Sequence, residues 1–114
     1  MTKPRVRLIH LIHWHEAESV ERRERLRALG YSVVADALRG SGLLRELRQA
    51  PPAAFVLDLG RLPSHGREVA LSLRADKTLR RVPLVFVEGA PDKVERIRAQ
   101  LPDVHAGLRF SRKA

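Results

Sequence analysis

Four side chains carry the chemistry most open to interpretation: His13, His15, Asp58 and Glu88. Each lies at or just past the end of a short apolar run. Two imidazoles with two carboxylates are a donor set suited to Zn²⁺ or another transition ion, whereas Mg²⁺ takes hard oxygen ligands. The run His13–Glu16 (HWHE) is no zinc-protease motif, because that chemistry needs two histidines four apart on a helix with the glutamate between them, and here the spacing is two. Gly40-Ser41-Gly42 lacks the lysine and the spacing of a phosphate-cradling loop and reads better as a helix cap; no G-x-G-x-x-G follows the first apolar run. Ser19, Ser64 and Ser72 have no nucleophile-elbow context. With no cysteine in the chain, disulfides, thiolate nucleophiles and thiolate zinc sites are excluded. No reaction can be assigned, so the chain is read as a non-enzyme without a cofactor.

The elements that must position these residues alternate in type. Val6–His13 (VRLIHLIH) reads as a buried strand that makes His10 a core or edge histidine. Ala17–Leu29 follows as a charged helix, with Val20, Leu26 and Leu29 as its main apolar positions and Glu18–Arg22 and Glu21–Arg25 at ion-pair spacing. Gly30 is placed to cap it in a left-handed conformation. Tyr31–Ala35 is a second strand. Ser41 caps a short helix through Leu47, which Pro51 and Pro52 stop. Ala53–Leu59 is a third strand, apolar on both faces, as in a sheet covered on two sides. Gly66–Leu73 suggests a third helix running into the basic stretch Arg74–Arg81, and Val82–Val87 a fourth strand. Ala90, Val94, Ile97 and Leu101 trace a fourth helix opened by Pro91–Asp92 and closed by Pro102, and Val104–Phe110 a fifth strand. This order predicts one α/β domain over residues 1–114, a parallel sheet between helical layers joined by right-handed crossovers.

The 114 residues carry 22 basic and 13 acidic side chains, a net charge of +9, and 44% hydrophobic residues, enough for one core. Arg74, Lys77, Arg80 and Arg81 gather at a helix end, where the dipole favours cations, and Arg109, Arg112 and Lys113 decorate the tail. Such charge raises non-specific affinity for nucleic acid. Against a dedicated nucleic-acid module stand the lack of a helix-turn-helix or zinc pattern and only five aromatic residues, too few for a stacking platform. No apolar run approaches the roughly 18 residues of a membrane span. Arg5 and Arg7 interrupt the first apolar run and no small-residue cleavage site follows, so the expectation is a cytoplasmic protein.

Three stretches give the chain a family likeness: LRALGYSVV (Leu26–Val34), AFVLDLGRLPSHG (Ala54–Gly66), with Asp58 at a strand end and Gly66 eight residues on, and RVPLVFVEG (Arg81–Gly89). Together they resemble the receiver domain of bacterial response regulators. The resemblance implies a flavodoxin-like, doubly wound five-stranded sheet in the order 2-1-3-4-5, with Asp58 in the phosphoacceptor position.

The departures from that pattern bear on function. The slot for the acidic pair that holds Mg²⁺ in receivers falls on His13 and Trp14, with His15 next. Glu88 stands where receivers place a switch hydroxyl, and a carboxylate there repels an incoming phosphoryl group. The family's lysine has no clear counterpart; Arg109 and Arg112 are the candidates. In place of a metal, Glu88 is expected to pair with a histidine or with Arg61 as an internal salt bridge. The resemblance therefore points to a degenerate receiver acting by protein–protein contact without Mg²⁺-dependent phosphotransfer. The alternatives are a working receiver phosphorylated at Asp58 and a basic nucleic-acid adaptor. The chain also stops after its fifth strand, where receivers add a fifth helix, so the expected partner is a protein or a second copy covering the apolar face left open.

Overall fold

The computed structural model describes residues 8–12, 16–36, 41–60, 63–101 and 103–108. Nine elements alternate through them: β1 (Leu8–Ile12), α1 (Glu16–Ala28), β2 (Ser32–Asp36), α2 (Ser41–Gln49), β3 (Ala54–Asp58), α3 (Pro63–Ala75), β4 (Leu84–Val87), α4 (Pro91–Arg98) and β5 (His105–Leu108). The strands form one parallel sheet in the order β2-β1-β3-β4-β5, as expected. The register of β5 places Val85 beside His105 and Val87 beside Leu108, with an irregularity between them.

Among the described residues, β3 and β4 are shorter than the apolar runs that announce them, and β2 is shifted by one residue, from Tyr31–Ala35 to Ser32–Asp36. Val82 and Val104 are buried yet precede β4 and β5. Gly30 has φ +99°, the left-handed conformation that ends α1. At the start of α3 the expected boundary, Gly66, is corrected to Pro63: a proline suits the first helical turn, whose amide has no intrahelical partner. At the other end α4 stops at Arg98, short of Leu101. Amides of Gln100 and Leu101 donate to Ile97 and Arg98 carbonyls in tight turns, and Leu101 still reaches the core from outside the helix. The expected continuation of β5 to Phe110, the tail cations Arg109, Arg112 and Lys113, and the question of a fifth helix lie outside the described residues.

Side-chain alternation sorts the strands into two faces. Phe55, Leu57, Leu84 and Phe86 point into the larger core with Leu47 of α2, Ala70 and Leu73 of α3, and Val94 and Ile97 of α4. Ile9, Leu11, Val33, Val56 and Val87 pack on the opposite face with Leu26 of α1. His10 is a core residue: β1 is flanked by β2 and β3, the imidazole is buried, and its ring lies 5.8 Å from that of Phe55.

Asp76, just past α3, ties that end of the molecule together. Its Oδ2 accepts from Arg48 Nε of α2 at 2.6 Å, and its Oδ1 accepts from the amides of Thr78 and Leu79. The hydrogen bond from Arg48, with help from the two amides, holds the Asp76 carboxyl below its usual 3.8. A carboxyl depressed by folding adds stability above its unfolded pKa and loses it as pH falls through the lower folded value. The stability difference between wild type and Asp76→Asn, measured by denaturant titration, is therefore expected to be largest near neutral pH. It should shrink as the pH is lowered below 3.8.

Candidate functional site

Asp58 ends β3, two residues after Val56, so alternation aims its side chain at the α1 face of the sheet. It is 2% exposed. A carboxylate so deeply removed from water requires a counter-charge and hydrogen bonds to remain ionised. Both are supplied by the chain itself. Arg22 Nε donates to Asp58 Oδ2 at 3.2 Å, and the Gly60 amide donates to Oδ1 at 2.8 Å. Gly60 suits this close return: a Cβ there would lie 3.0 Å from Asp58 Oδ1, a tight contact that the carboxylate would have to yield to.

Arg22 reaches the carboxylate because of where it sits on α1. Counting back from buried Leu26 by four and by seven gives Arg22 and Ser19, the helix face turned to the sheet. Ser19 is buried and the Arg22 side chain is only 14% exposed. The expected apolar positions Val20 and Leu29 are instead exposed, at 42% and 69%. The Glu21–Arg25 pair is present at 3.7 Å, whereas Arg22, expected on the ion-paired outer face, turns its Nε inward and keeps Nη1 on Glu21 at 3.3 Å. The signal that marks Arg22 is this interruption: an arginine in the inward stripe of a helix, next to a buried serine, requires an anion on the facing strand.

A cavity of about 400 Å³ opens over the pair, lined by Glu18, Arg22, Asp58, Gly60, Glu88 and Gly89. Of the sequence-predicted residues, Asp58 and Glu88 thus meet in one place. Glu88 has φ +60°, a left-handed conformation uncommon outside glycine, and Gly89 follows at φ +89°. No side chain fits at Gly89: a Cβ would stand 2.9 Å from Leu59 Cβ and 3.0 Å from Val94 Cγ2. The two residues turn the chain sharply after β4 and set Glu88 on the rim of the cavity. Arg61, His13, Trp14 and His15 lie outside the described residues, so the expected Arg61 or histidine partner of Glu88 and the histidine half of the metal set do too. The cation placed on Asp58 is Arg22.

Among the described residues, the surroundings of Asp58 disfavour a divalent cation. Asp58 has one oxygen on a guanidinium and the other on an amide, and the fixed positive charge of Arg22 repels an ion brought to the same carboxylate. Among the described residues no group of three histidine, aspartate or glutamate side chains is arranged to hold a metal. The arrangement can neutralise a buried carboxylate and lock α1 to the carboxyl end of β3.

No family model matches the chain and no curated protein matches it. Solved structures do. The receiver domain of a sensor histidine kinase from Pseudomonas aeruginosa, determined with a magnesium ion coordinated in its active-site cleft, is 24% identical, with a TM-score of 0.71 over 94% of this chain and 87% of that one. A CheY-like response regulator receiver domain from Methylobacillus flagellatus is 16% identical, with a TM-score of 0.73 over 96% of this chain and 90% of that one. The chemotaxis protein CheY4 of Vibrio cholerae is 15% identical, with a TM-score of 0.71 over 91% and 87%. The chain has the receiver-domain fold. Among the described residues no helix is long and apolar enough to cross a membrane.

Removal of either partner of the buried pair strands the other charge. Arg22→Met is expected to lower stability by about 3 kcal/mol, the range for breaking a buried ion pair, while Arg22→Met with Asp58→Asn recovers most of that loss. Chemical denaturation of the four proteins of the cycle measures the coupling, and a value near zero would contradict the geometry.

Proposed function

We propose that this chain is a degenerate receiver-like signalling module that works by contact with another protein and takes no part in conventional Mg²⁺-dependent phosphotransfer. The observation that carries the reading is the Arg22–Asp58 pair. Phosphoryl transfer to a carboxylate needs an oxygen free for in-line attack and a cation bridging the phosphoryl oxygens. Here Arg22 and the Gly60 amide each hold one carboxylate oxygen, Asp58 is 2% exposed beneath the cavity, and Glu88 in the lining adds like charge against an incoming phosphoryl group. The protein has no step to catalyse on this reading, and Asp58 acts as an anchor for α1. The cytoplasm is where a module of this kind meets its partners.

The competing reading is a working receiver phosphorylated at Asp58. Incubation with acetyl phosphate and Mg²⁺, followed by intact-mass measurement, separates the two. The expected result is no phosphoryl adduct, and no change in the amide spectrum when beryllofluoride and Mg²⁺ are added. Stoichiometric labelling that disappears in Asp58→Asn would overturn the proposal.

A further inference from the structure

The helices of a parallel α/β sheet run back against the strands, so their carboxyl ends gather at the amino edge of the sheet, opposite Asp58. The last turns of α2, α3 and α4 carry Arg48, Arg74, Arg96 and Arg98 there. Three nearby acids are already engaged. Asp76 holds Arg48 at 2.6 Å, Asp103 holds Arg74 at 3.2 Å, and Glu95 holds Arg98 at 3.7 Å. Lys77, Arg80 and Arg81 in the α3–β4 turn and Arg96 on α4 are exposed and, among the described residues, have no acidic partner.

The turn that bears three of these cations is held from within. Arg74, in the last turn of α3 as expected, donates from Nη1 to the carbonyls of Arg80 at 2.7 Å and Val82 at 2.9 Å. Asp76 Oδ1 accepts the amides of Thr78 and Leu79, the Arg80 amide donates to the Asp76 carbonyl, and Leu79 is fully buried beneath. The Arg74–Asp103 bridge draws the α4–β5 connection against the same turn. Cations on a preformed backbone lose less freedom on binding an anion than cations on a loose loop.

We propose that this edge, Lys77, Arg80, Arg81 and Arg96, binds the phosphate backbone of double-stranded nucleic acid without reading its sequence. Guanidinium groups suit phosphate oxygens bidentately, and three of the four cations are arginine. An acidic protein partner is the less favoured occupant. Protein interfaces depend on buried apolar or aromatic anchors, and among the described residues the exposed large hydrophobics, Val20, Leu29 and Val34, lie away from this turn and from α4. A phosphodiester backbone requires only charge, and the net +9 of the chain draws it in. This surface is separate from Asp58 and stands whether or not that residue accepts phosphate.

The test is fluorescence anisotropy of a short labelled DNA duplex titrated with the full chain over a range of salt. Four phosphate contacts give a slope of log K against log salt of about −3 to −4. Arg80→Gln with Arg81→Gln, both exposed, is expected to weaken binding at least tenfold at low salt and to flatten the slope by about 2. The control Arg45→Gln with Arg67→Gln removes the same charge elsewhere, on α2 and the first half of α3, and should change affinity less than threefold. Equal loss in both variants would assign binding to net charge and overturn the surface. A slope near zero would overturn phosphate contact, and tighter binding of a polyglutamate peptide than of duplex would overturn the partner.

Discussion

A carboxylate at the end of a buried strand must be neutralised, and the arrangement of this molecule around Asp58 follows from how that is done. The counter-ion is covalently part of the chain. A guanidinium on α1 spans from the helix to the carboxyl end of β3 at 3.2 Å, so charge neutrality and helix docking are a single interaction. That accounts for α1, whose inward face holds Ser19, Arg22 and Leu26 and so offers little apolar surface of its own. Where hydrophobic burial is thin, a desolvated ion pair fixes position while its desolvation cost offsets much of the Coulombic gain.

The same interaction sets the character of the cavity above it. Among the described residues, Glu18 and Glu88 contribute two further carboxylates to the lining beside the guanidinium of Arg22. The left-handed pair Glu88–Gly89 belongs to this design as well, because the wedge of Gly89 between Leu59 and Val94 leaves the preceding residue little choice of backbone. At the opposite edge of the sheet stand the exposed cations Lys77, Arg80, Arg81 and Arg96.

Much of this was legible in the residue pattern. Apolar runs separated by charged helices predicted a parallel sheet, and the stretches LRALGYSVV, AFVLDLGRLPSHG and RVPLVFVEG predicted its strand order. Gly30 announced the left-handed cap of α1. Asp58 and Glu88 were recognisable as strand-end residues that would share a site. Arg22 was not, because local charge spacing points to an i to i+4 partner on the same helix and is silent about Asp58, 36 residues away. Long-range ion pairs leave no periodic trace. What does remain is negative: Val20 and Leu29 make no continuous stripe with Leu26, and the stripe that does face the sheet passes through an arginine. Helix boundaries slipped for related reasons, since Leu101 is as buried as a helical core residue yet is delivered by two consecutive tight turns.

The parity of β3 has an evolutionary consequence. Phe55 and Leu57 face one core, while Val56 and Asp58 face the other, so insertion or deletion of a single residue within Ala54–Asp58 would exchange the two sets. The carboxylate would then be driven among the leucines under α3, and two bulky side chains would crowd the arginine left behind. Length variation among descendants of this chain is thereby confined to the connections between elements, and β3 can diverge only by substitution.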